Sequence, residues 1–256
     1  MSVLKAFVIA FSMYSKIPMP QFEWKDRDMK YALCFFPWVG AVIGLLTYGW
    51  GMLYQHYEVG PLFFAAVGTA IPILVSGGLH VDGYMDSMDA FHSYQSREKK
   101  LEILKDPHIG AFSVIRVIVY YLLYVGAYSE LGNLKAVALV GAGFFLSRTL
   151  CGIGVVSLHG AKKEGLLYMF SSIAHEKAVK IALYAQLAGC AAVLLYLSLW
   201  VGIAALAGAL LTFCYYRYRC YKELGGITGD TSGYFVTLCE GATVIIVAVC
   251  CIGKFI

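Results

Sequence analysis

Long apolar runs, separated by short polar segments, dominate the chain. A helix crosses a bilayer core about 30 Å thick with roughly 20 consecutive apolar residues. The predicted spans are residues 32–55, 61–79, 109–128, 135–158, 178–197, 200–216 and 234–253. An earlier apolar run, residues 3–14, is short and is followed by Pro18 and Pro20, which predicts an interfacial or re-entrant helix. The pattern therefore predicts an all-α, polytopic membrane bundle of about seven transmembrane helices.

The overall composition supports a lipid environment. Of the 256 residues, 60% are hydrophobic and 14% are charged, whereas a soluble domain is nearer 45–50% apolar and about 25% charged. The eight cysteines form no C-x-x-C pair and lie mostly inside apolar runs, so neither disulfides nor a zinc site is predicted. Since no internal repeat or composition boundary divides the chain, residues 1–256 are predicted to form one integral membrane domain.

The basic residues predict an orientation. With the N-terminus in the cytoplasm and seven spans, sixteen of the twenty Lys and Arg residues fall in inner segments, and only Lys135 and Lys254 fall outside. Inner segments of membrane proteins carry such an excess, so a bacterial inner-membrane protein with a cytoplasmic N-terminus is predicted. The large connections 80–108, 159–177 and 217–233 are then cytoplasmic, and we expect the chemistry there. The net charge of +4 follows from this asymmetry and does not indicate nucleic-acid binding.

Residues 77–92, GGLHVDGYMDSMDAFH, contain the carboxylates Asp82, Asp86 and Asp89. Spacings of four and three place them on one face of a helix. Such like charges repel, and a hard cation relieves the repulsion; Mg²⁺ typically takes one or two carboxylates together with substrate phosphate oxygens. A solvated acidic helix end would show the same spacing, but polar clusters at a membrane border tend to be functional. The stretch therefore predicts a Mg²⁺ site that binds a diphosphate.

Charged residues at other membrane borders are candidates for binding phosphate. Just before the third predicted span, Lys105 would meet a phosphate and Asp106 would add a ligand or act as a base; a positive anchor followed by a turn is an equal alternative. Within the spans, Arg148 suits bidentate recognition of phosphate or carboxylate. Glu240 would pair with Arg148, bind a ligand or snorkel to the border. Arg116 is interpreted as a side chain that snorkels.

Glycine and small hydroxyl residues fill residues 225–233, GGITGDTSG. Glycine permits close approach of the backbone to a ligand, and the oxygens of Thr228, Asp230 and Thr231 would bind a metal or phosphate. The segment is not a Walker A motif, because the lysine and the spacing of that motif are absent. A flexible loop would have the same composition, so substrate binding here is one of two interpretations.

The order GGLHxDGxxDxxD, ILKDxxIG and GGxTGDTxG resembles the adenosylcobinamide-GDP ribazoletransferase family, also called cobalamin (5′-phosphate) synthases. The segments KIPMP and CFFPWVGAVIG and the Ser147-Arg148 pair are similar to the same family, and the likeness runs nearly from end to end. Three positions depart from the family's common pattern: Lys16, Ala90 and Pro107. Every carboxylate of the pattern is present.

The resemblance implies the last assembly step of coenzyme B12. Adenosylcobinamide-GDP would be joined to α-ribazole or α-ribazole 5′-phosphate with release of GMP, and Mg²⁺ would be the cofactor. The three carboxylates, including Asp82 as a catalytic residue, would hold Mg²⁺ on the diphosphate. His80 or Asp106 would accept the hydroxyl proton, and Lys105 and Arg148 would balance phosphate charge.

Two other function classes are alternatives. A membrane phosphotransferase of the CDP-alcohol type also uses aspartates at a membrane border, but its D-G-x-x-A-R…G-x-x-x-D-x-x-x-D signature is absent. A transporter would place acidic residues near the midplane, with inverted repeats between its halves; only Glu240 and Arg148 favour this class. Membrane enzymes of this size often associate, so a homo-oligomer is an open alternative.

Overall fold

A computed structural model of the chain describes residues 3–162 and 164–256, which are predominantly helical. The α-helices are α1 Val3–Tyr14, α2 Asp26–Met29, α3 Phe36–His56, α4 Pro61–Ser76, α5 Leu79–His92, α6 Arg97–Ile103, α7 Ala111–Ser129, α8 Leu134–Ser157, α9 Gly165–Ile173, α10 Glu176–Leu197, α11 Leu199–Leu224 and α12 Gly229–Ile252, and a 3₁₀ helix, Ala32–Phe35, precedes α3. Among the described residues β-type pairing is limited to an isolated bridge between Gly160 and Ile227.

Six helical segments are long and apolar enough to cross a membrane: α3 with its 3₁₀ turn, α7, α8, α10, α11 and α12. The remaining predicted span, residues 61–79, corresponds to α4, which has 16 residues and is followed by α5 at an angle of 92°. Counting this bent pair as one span gives seven. The prediction of an all-α, multi-pass membrane bundle is confirmed, and α1 is a separate short helix as predicted.

The bend between α4 and α5 is made by two glycines in the left-handed region. Gly77 has φ 66° and Gly78 has φ 81°, and side chains with a Cβ rarely adopt such values. The N–H of Gly78 donates to the carbonyl of Ile73 at 3.0 Å, which closes the end of α4. Because the chain turns here, α5 runs at nearly a right angle to α4, and its carboxylates lie beyond the end of α4.

Helix α8 forms the centre of the bundle. In its most apolar window 83% of the residues are buried, against 50% or less in the other five spans. Large side chains such as Phe144 on α8 and Phe235 on α12 are almost completely enclosed. The outer helices instead expose aliphatic side chains, as expected for surfaces that face lipid.

The three connections predicted as loops are largely helical. Residues 80–108 contain most of α5 and all of α6, and 159–177 contain α9. Residues 217–233 are the end of α11, a short turn and the start of α12. Helix α12 thus begins five residues before the predicted span 234–253, because Thr228 caps it and the polar segment 229–233 forms its first turns.

Candidate active site

The site is built where α5 crosses α12. A Cβ added to Gly83 would lie 2.5 Å from the carbonyl oxygen of Asp230, and one added to Gly233 would lie 3.0 Å from the carbonyl oxygen of His80. The Thr237 hydroxyl also donates to that His80 oxygen at 3.1 Å. The two backbones therefore touch, which fixes the carboxylate-bearing helix against the first turns of α12.

A cavity of 170 Å³ lies beside this crossing, and His80, Asp82 and Asp230 are the ionisable residues in its wall that the sequence analysis selected. Most of the remaining wall is apolar or aromatic. It includes Tyr14, Leu33, Phe36, Cys151, Val155 and Phe170. The cavity is therefore an apolar pocket with a polar side, which suits a largely apolar ligand group that carries a polar substituent.

A second, more open groove of 490 Å³ adjoins the first cavity, and both are lined by Leu79 and Asp82. Lys16 lines this groove from the segment that follows α1. Its backbone N–H donates to the carbonyl of Val75 at 2.8 Å, which holds the segment against the α4–α5 bend. Asp82 therefore lines both the 170 Å³ cavity and the 490 Å³ groove, and a ligand group bound in either of them would lie next to its carboxylate.

The carboxylates of α5 and α12 repel one another. Burial, and then the charges of Asp82, Asp230 and Asp89, raise the pKa of Asp86 to about 6. No group of three or more His, Cys, Asp or Glu side chains within the described residues is arranged to hold a metal by itself. Mg²⁺ commonly uses one or two carboxylates and completes its shell with water and phosphate oxygens. The donor set therefore fits a Mg²⁺ site shared with a phosphate ligand, and the predicted metal site stays a prediction.

Asp89 has a structural role of its own. Its Oδ2 accepts a hydrogen bond from the Gly110 N–H at 2.7 Å, and its Oδ1 accepts one from the Ser113 N–H at 3.0 Å. The N–H groups at the start of a helix have no partner within the helix, so Asp89, which lies on α5, caps α7. Its role as a metal ligand stays a prediction, whereas Asp82 is exposed and faces both cavities.

The two predicted proton acceptors differ in access to the cavity. The Asp106 carboxylate accepts the His108 N–H at 2.9 Å in an exposed turn before α7, and these contacts with His108 lower the pKa of Asp106. His80 lines the cavity, and burial followed by the positive charge of Arg148 lowers the pKa of His80 well below its usual value. His80 is therefore neutral near pH 7, as a proton acceptor must be, and its lowered pKa also makes it a weaker base than an exposed histidine.

The hydroxyls of Thr228 and Thr231 start α12. The Thr231 hydroxyl accepts the Thr228 N–H at 2.8 Å, and the Thr228 hydroxyl accepts the Thr231 N–H at 3.2 Å. Both residues are buried in this capping box. Asp230 is consequently the one of the three predicted residues in this segment that lines the cavity.

Arg148 and Glu240 lie deeper in the bundle and pair with each other. Their Nη1 and Oε1 atoms are 2.6 Å apart, and only 1% of the Arg148 side chain is exposed. Glu240 is ten residues beyond Asp230 on α12, which corresponds to about 15 Å of helix. Of the three alternatives for Glu240, pairing with Arg148 is the one observed; phosphate binding by either residue stays a prediction. Both line a small cavity of 10 Å³ that shares His80 with the larger one.

Lys162 is a candidate site residue that the sequence analysis missed. The Ile227 N–H donates to the His159 carbonyl at 2.9 Å, and the Ala161 N–H donates to the Ile227 carbonyl at 2.8 Å. This bridge fixes the segment before Lys162 against the segment before α12. Burial lowers the pKa of Lys162, and Asp230 is the charged neighbour with the largest opposing effect. Its partly buried position and the influence of Asp230 on its pKa make Lys162 a candidate residue near the site.

Lys105 lies on the outer side of this group. Its Nζ is 2.5 Å from Oε1 of Glu164, and both side chains are largely exposed. Lys105 and Glu164 are also charged neighbours of Lys162. The predicted contact of Lys105 with a phosphate stays a prediction, and Lys105 does not line the 170 Å³ cavity.

Comparison with known proteins places this geometry in a family. A family model described as cobalamin-5-phosphate synthase matches residues 6–249. Proteins named adenosylcobinamide-GDP ribazoletransferase from Lachnoclostridium phytofermentans and Clostridium perfringens are 46% and 31% identical to the chain. The two alignments cover 94% and 96% of this chain, and 92% and 98% of the relatives. No solved structure matches the chain. The chain therefore belongs to the cobalamin-5-phosphate synthase family, a family of membrane transferases of cobalamin biosynthesis.

Proposed function

We propose that the protein joins adenosylcobinamide-GDP to α-ribazole or α-ribazole 5′-phosphate and releases GMP. The observation that carries this proposal is the meeting of an aromatic-lined cavity and an open groove at Asp82, with His80 and Asp230 beside it. The reaction has two large substrates that must meet at one diphosphate, and two adjoining spaces suit that requirement. The names of the relatives support the choice of substrates.

We assign the acceptor substrate, α-ribazole or its 5′-phosphate, to the 170 Å³ cavity. Its 170 Å³ is smaller than the roughly 300–1,000 Å³ of pockets that enclose a whole drug-sized ligand. It therefore takes the aromatic base of α-ribazole, with the ribose at the polar side beside His80. The groove, with Lys16 in its wall, takes the diphosphate of the donor, and the corrin ring stays outside both spaces.

The proposed chemistry is an in-line displacement at phosphorus. The ribazole hydroxyl oxygen forms a bond to the phosphorus attached to the aminopropanol arm, and the bond from that phosphorus to the GMP oxygen breaks. His80 accepts the hydroxyl proton. Asp82 and Asp86, with Asp230 nearby, would hold Mg²⁺ together with phosphate oxygens, and the bound ion would neutralise charge on the diphosphate. Lys162 stabilises negative charge on the phosphates from the α12 side.

The location follows from the basic residues. We expect a bacterial inner membrane, with the α5–α12 crossing on the cytoplasmic face, because most Lys and Arg residues lie on that side of the bundle in the predicted orientation. A homo-oligomer is compatible with this arrangement, but the proposed reaction uses residues of one chain.

A direct assay tests the proposal. Purified protein is incubated with adenosylcobinamide-GDP and α-ribazole 5′-phosphate, with and without Mg²⁺, and GMP and the corrinoid product are quantified by liquid chromatography and mass spectrometry. We expect equal amounts of both products, and only with the divalent ion. CDP-diacylglycerol in place of the donor is the control for a CDP-alcohol phosphotransferase. Turnover of that compound, or ligand flux through proteoliposomes without conversion, would overturn the proposal.

The assignment of the acceptor makes a first specific prediction. Cys151→Phe places a ring in the wall of the 170 Å³ cavity, so the KM for α-ribazole should rise about 10-fold, equivalent to about 1.4 kcal/mol. The KM for adenosylcobinamide-GDP should stay within about twofold. Cys214→Phe, at an exposed position of α11, is the matched control and should change neither constant. An equal rise in both KM values for Cys151→Phe would contradict the assignment.

Lys162 provides a second prediction. Lys162→Gln removes a positive charge beside Asp230, and kcat/KM for the donor should fall about 10- to 100-fold, since hydrogen bonds to charged groups contribute about 1.5–3 kcal/mol. Lys177→Gln, which removes an exposed charge near the start of α10, should behave like the parent protein. Steady-state GMP release measures both. Equal losses in the two variants would indicate a general effect of surface charge and would remove Lys162 from the site.

A further inference from the structure

An apolar crevice of 450 Å³ opens between α7, α11 and α12, on a different side of α12 from the 170 Å³ cavity. Its wall includes Leu123, Leu211, Leu238, Ala242 and Ile245, with Tyr120, Tyr124 and Tyr215. Leu123 and Leu211 are 59% and 71% exposed. The crevice therefore opens onto the hydrocarbon-facing surface of the bundle.

Two arginines lie beyond one end of this crevice. Arg116 is one turn before Tyr120 on α7, and Arg219 is one turn after Tyr215 on α11, so each shares a helix face with a crevice residue. Helix α7 begins where Asp89 binds its first N–H groups, and α11 ends in the turn that leads to α12. Both arginines therefore lie at the end of the crevice that faces the candidate active site.

Arg116 and Arg219 both have tyrosine neighbours. Arg219 Nη1 donates to the Tyr215 hydroxyl at 3.1 Å. Arg116 and Tyr215 are both electrostatic neighbours of Tyr84 on α5, where Arg116 opposes the increase that burial causes in the pKa of Tyr84. Both arginines thus lie near tyrosine side chains at the same border of the bundle.

The positive charge at this end is not fully compensated. None of the ion pairs within 4.0 Å among the side chains that the structure describes includes Arg116. Arg219 is 3.8 Å from Glu223, but Glu223 also binds Lys100 at 2.5 Å. The local charge is therefore positive, directly above an apolar crevice.

We propose that this crevice binds one anionic phospholipid, with an acyl chain along its wall and the headgroup phosphate between Arg116 and Arg219. Basic pockets at the ends of transmembrane helices select anionic headgroups. Arginine binds phosphate through two parallel hydrogen bonds. A zwitterionic lipid also presents a phosphate, but its choline group cancels the charge, so the site prefers phosphatidylglycerol to phosphatidylcholine.

Native mass spectrometry of the full-length protein in detergent tests this proposal. With equimolar phosphatidylglycerol and phosphatidylcholine, the parent protein should retain the anionic lipid at least fivefold more often. Arg116→Gln combined with Arg219→Gln should abolish that preference. Arg217→Gln is the matched control, because this exposed side chain of α11 lies over the Tyr221 ring at 5.7 Å, two residues from Arg219. It should keep the preference.

A second variant makes the test independent of the arginines. Ala242→Phe fills the crevice from α12 and should lower retention of both lipids at least fivefold while the protein still unfolds cooperatively. Three outcomes would overturn the proposal: no preference in the parent protein, equal loss in Arg217→Gln and the double arginine variant, or unchanged retention in Ala242→Phe.

Discussion

Asp82→Asn should reduce GMP release by about 100- to 1,000-fold, the range seen when one group that stabilises transition-state charge is removed. Asp82 is the exposed carboxylate in the wall shared by the cavity and the groove. The amide has the same shape but lacks the negative charge, so it weakens Mg²⁺ binding and leaves the packing of α5 unchanged. Initial rates of GMP release at saturating substrates, measured across a Mg²⁺ titration, report the effect.

The control for this variant is Glu98→Gln, which removes an exposed carboxylate from the neighbouring helix α6. It should show the parent rate and the parent Mg²⁺ dependence. Thermal unfolding of both variants should match the parent protein to within about 2 °C, because surface changes alter stability by about 0.5 kcal/mol or less. A parent-like rate for Asp82→Asn with the parent Mg²⁺ dependence would refute the metal assignment and the proposed mechanism together.

Glu240→Leu should destabilise the protein by about 3–5 kcal/mol, because it leaves the Arg148 guanidinium charged and unpaired inside the bundle. The ion pair is 2.6 Å long, and the Arg148 side chain is 1% exposed. The other hydrogen bonds of Arg148 Nη1 go to the neutral oxygens of Phe144 and Ser147, and Arg148 Nε lacks a partner in the described structure, so none of these contacts replaces the lost negative charge. The loss is measured as a shift in unfolding midpoint in detergent solution.

The double variant Arg148→Met with Glu240→Leu separates pairing from burial. Replacing both members of a buried ion pair by apolar residues is often neutral or stabilising, so the double variant should be more stable than either single variant. A coupling energy of about 2 kcal/mol or more is expected from the cycle. Additive losses would mean that the two residues stabilise the bundle independently, and the interpretation as an ion pair would be wrong.

Much of the fold could be predicted from hydrophobic length alone, because each span must satisfy its backbone inside lipid. The exceptions are local. Residues 229–233 have the composition of a flexible loop, yet the reciprocal bonds of Thr228 and Thr231 make them the start of α12. The run 61–79 satisfies the length criterion, but Gly77 and Gly78 end its helix at Ser76. In both cases two or three residues override the average character of a segment.

Candidate site residues that lie together on one segment could be predicted from the sequence. Those that come together from distant segments could not. Asp82 and Asp86 follow from their spacing on α5. Asp89 has the same spacing, but its hydrogen bonds to the first N–H groups of α7 depend on how α7 packs against α5, which the sequence does not give. The backbone bonds at Ile227 hold the segment of Lys162 next to the start of α12, close enough for Asp230 to influence the pKa of Lys162, and no feature of the sequence near Lys162 indicates that proximity.

The shortness of α4 has a consequence for the surrounding lipid. Its 16 residues form a rod about 24 Å long, whereas the hydrocarbon core is about 30 Å thick. A bilayer adapts to a short hydrophobic helix by thinning locally. We therefore expect a depression in the leaflet beside the corner that follows α4. Water and a bulky, hydrophilic corrinoid would enter this depression and reach the carboxylates of α5 without crossing hydrocarbon.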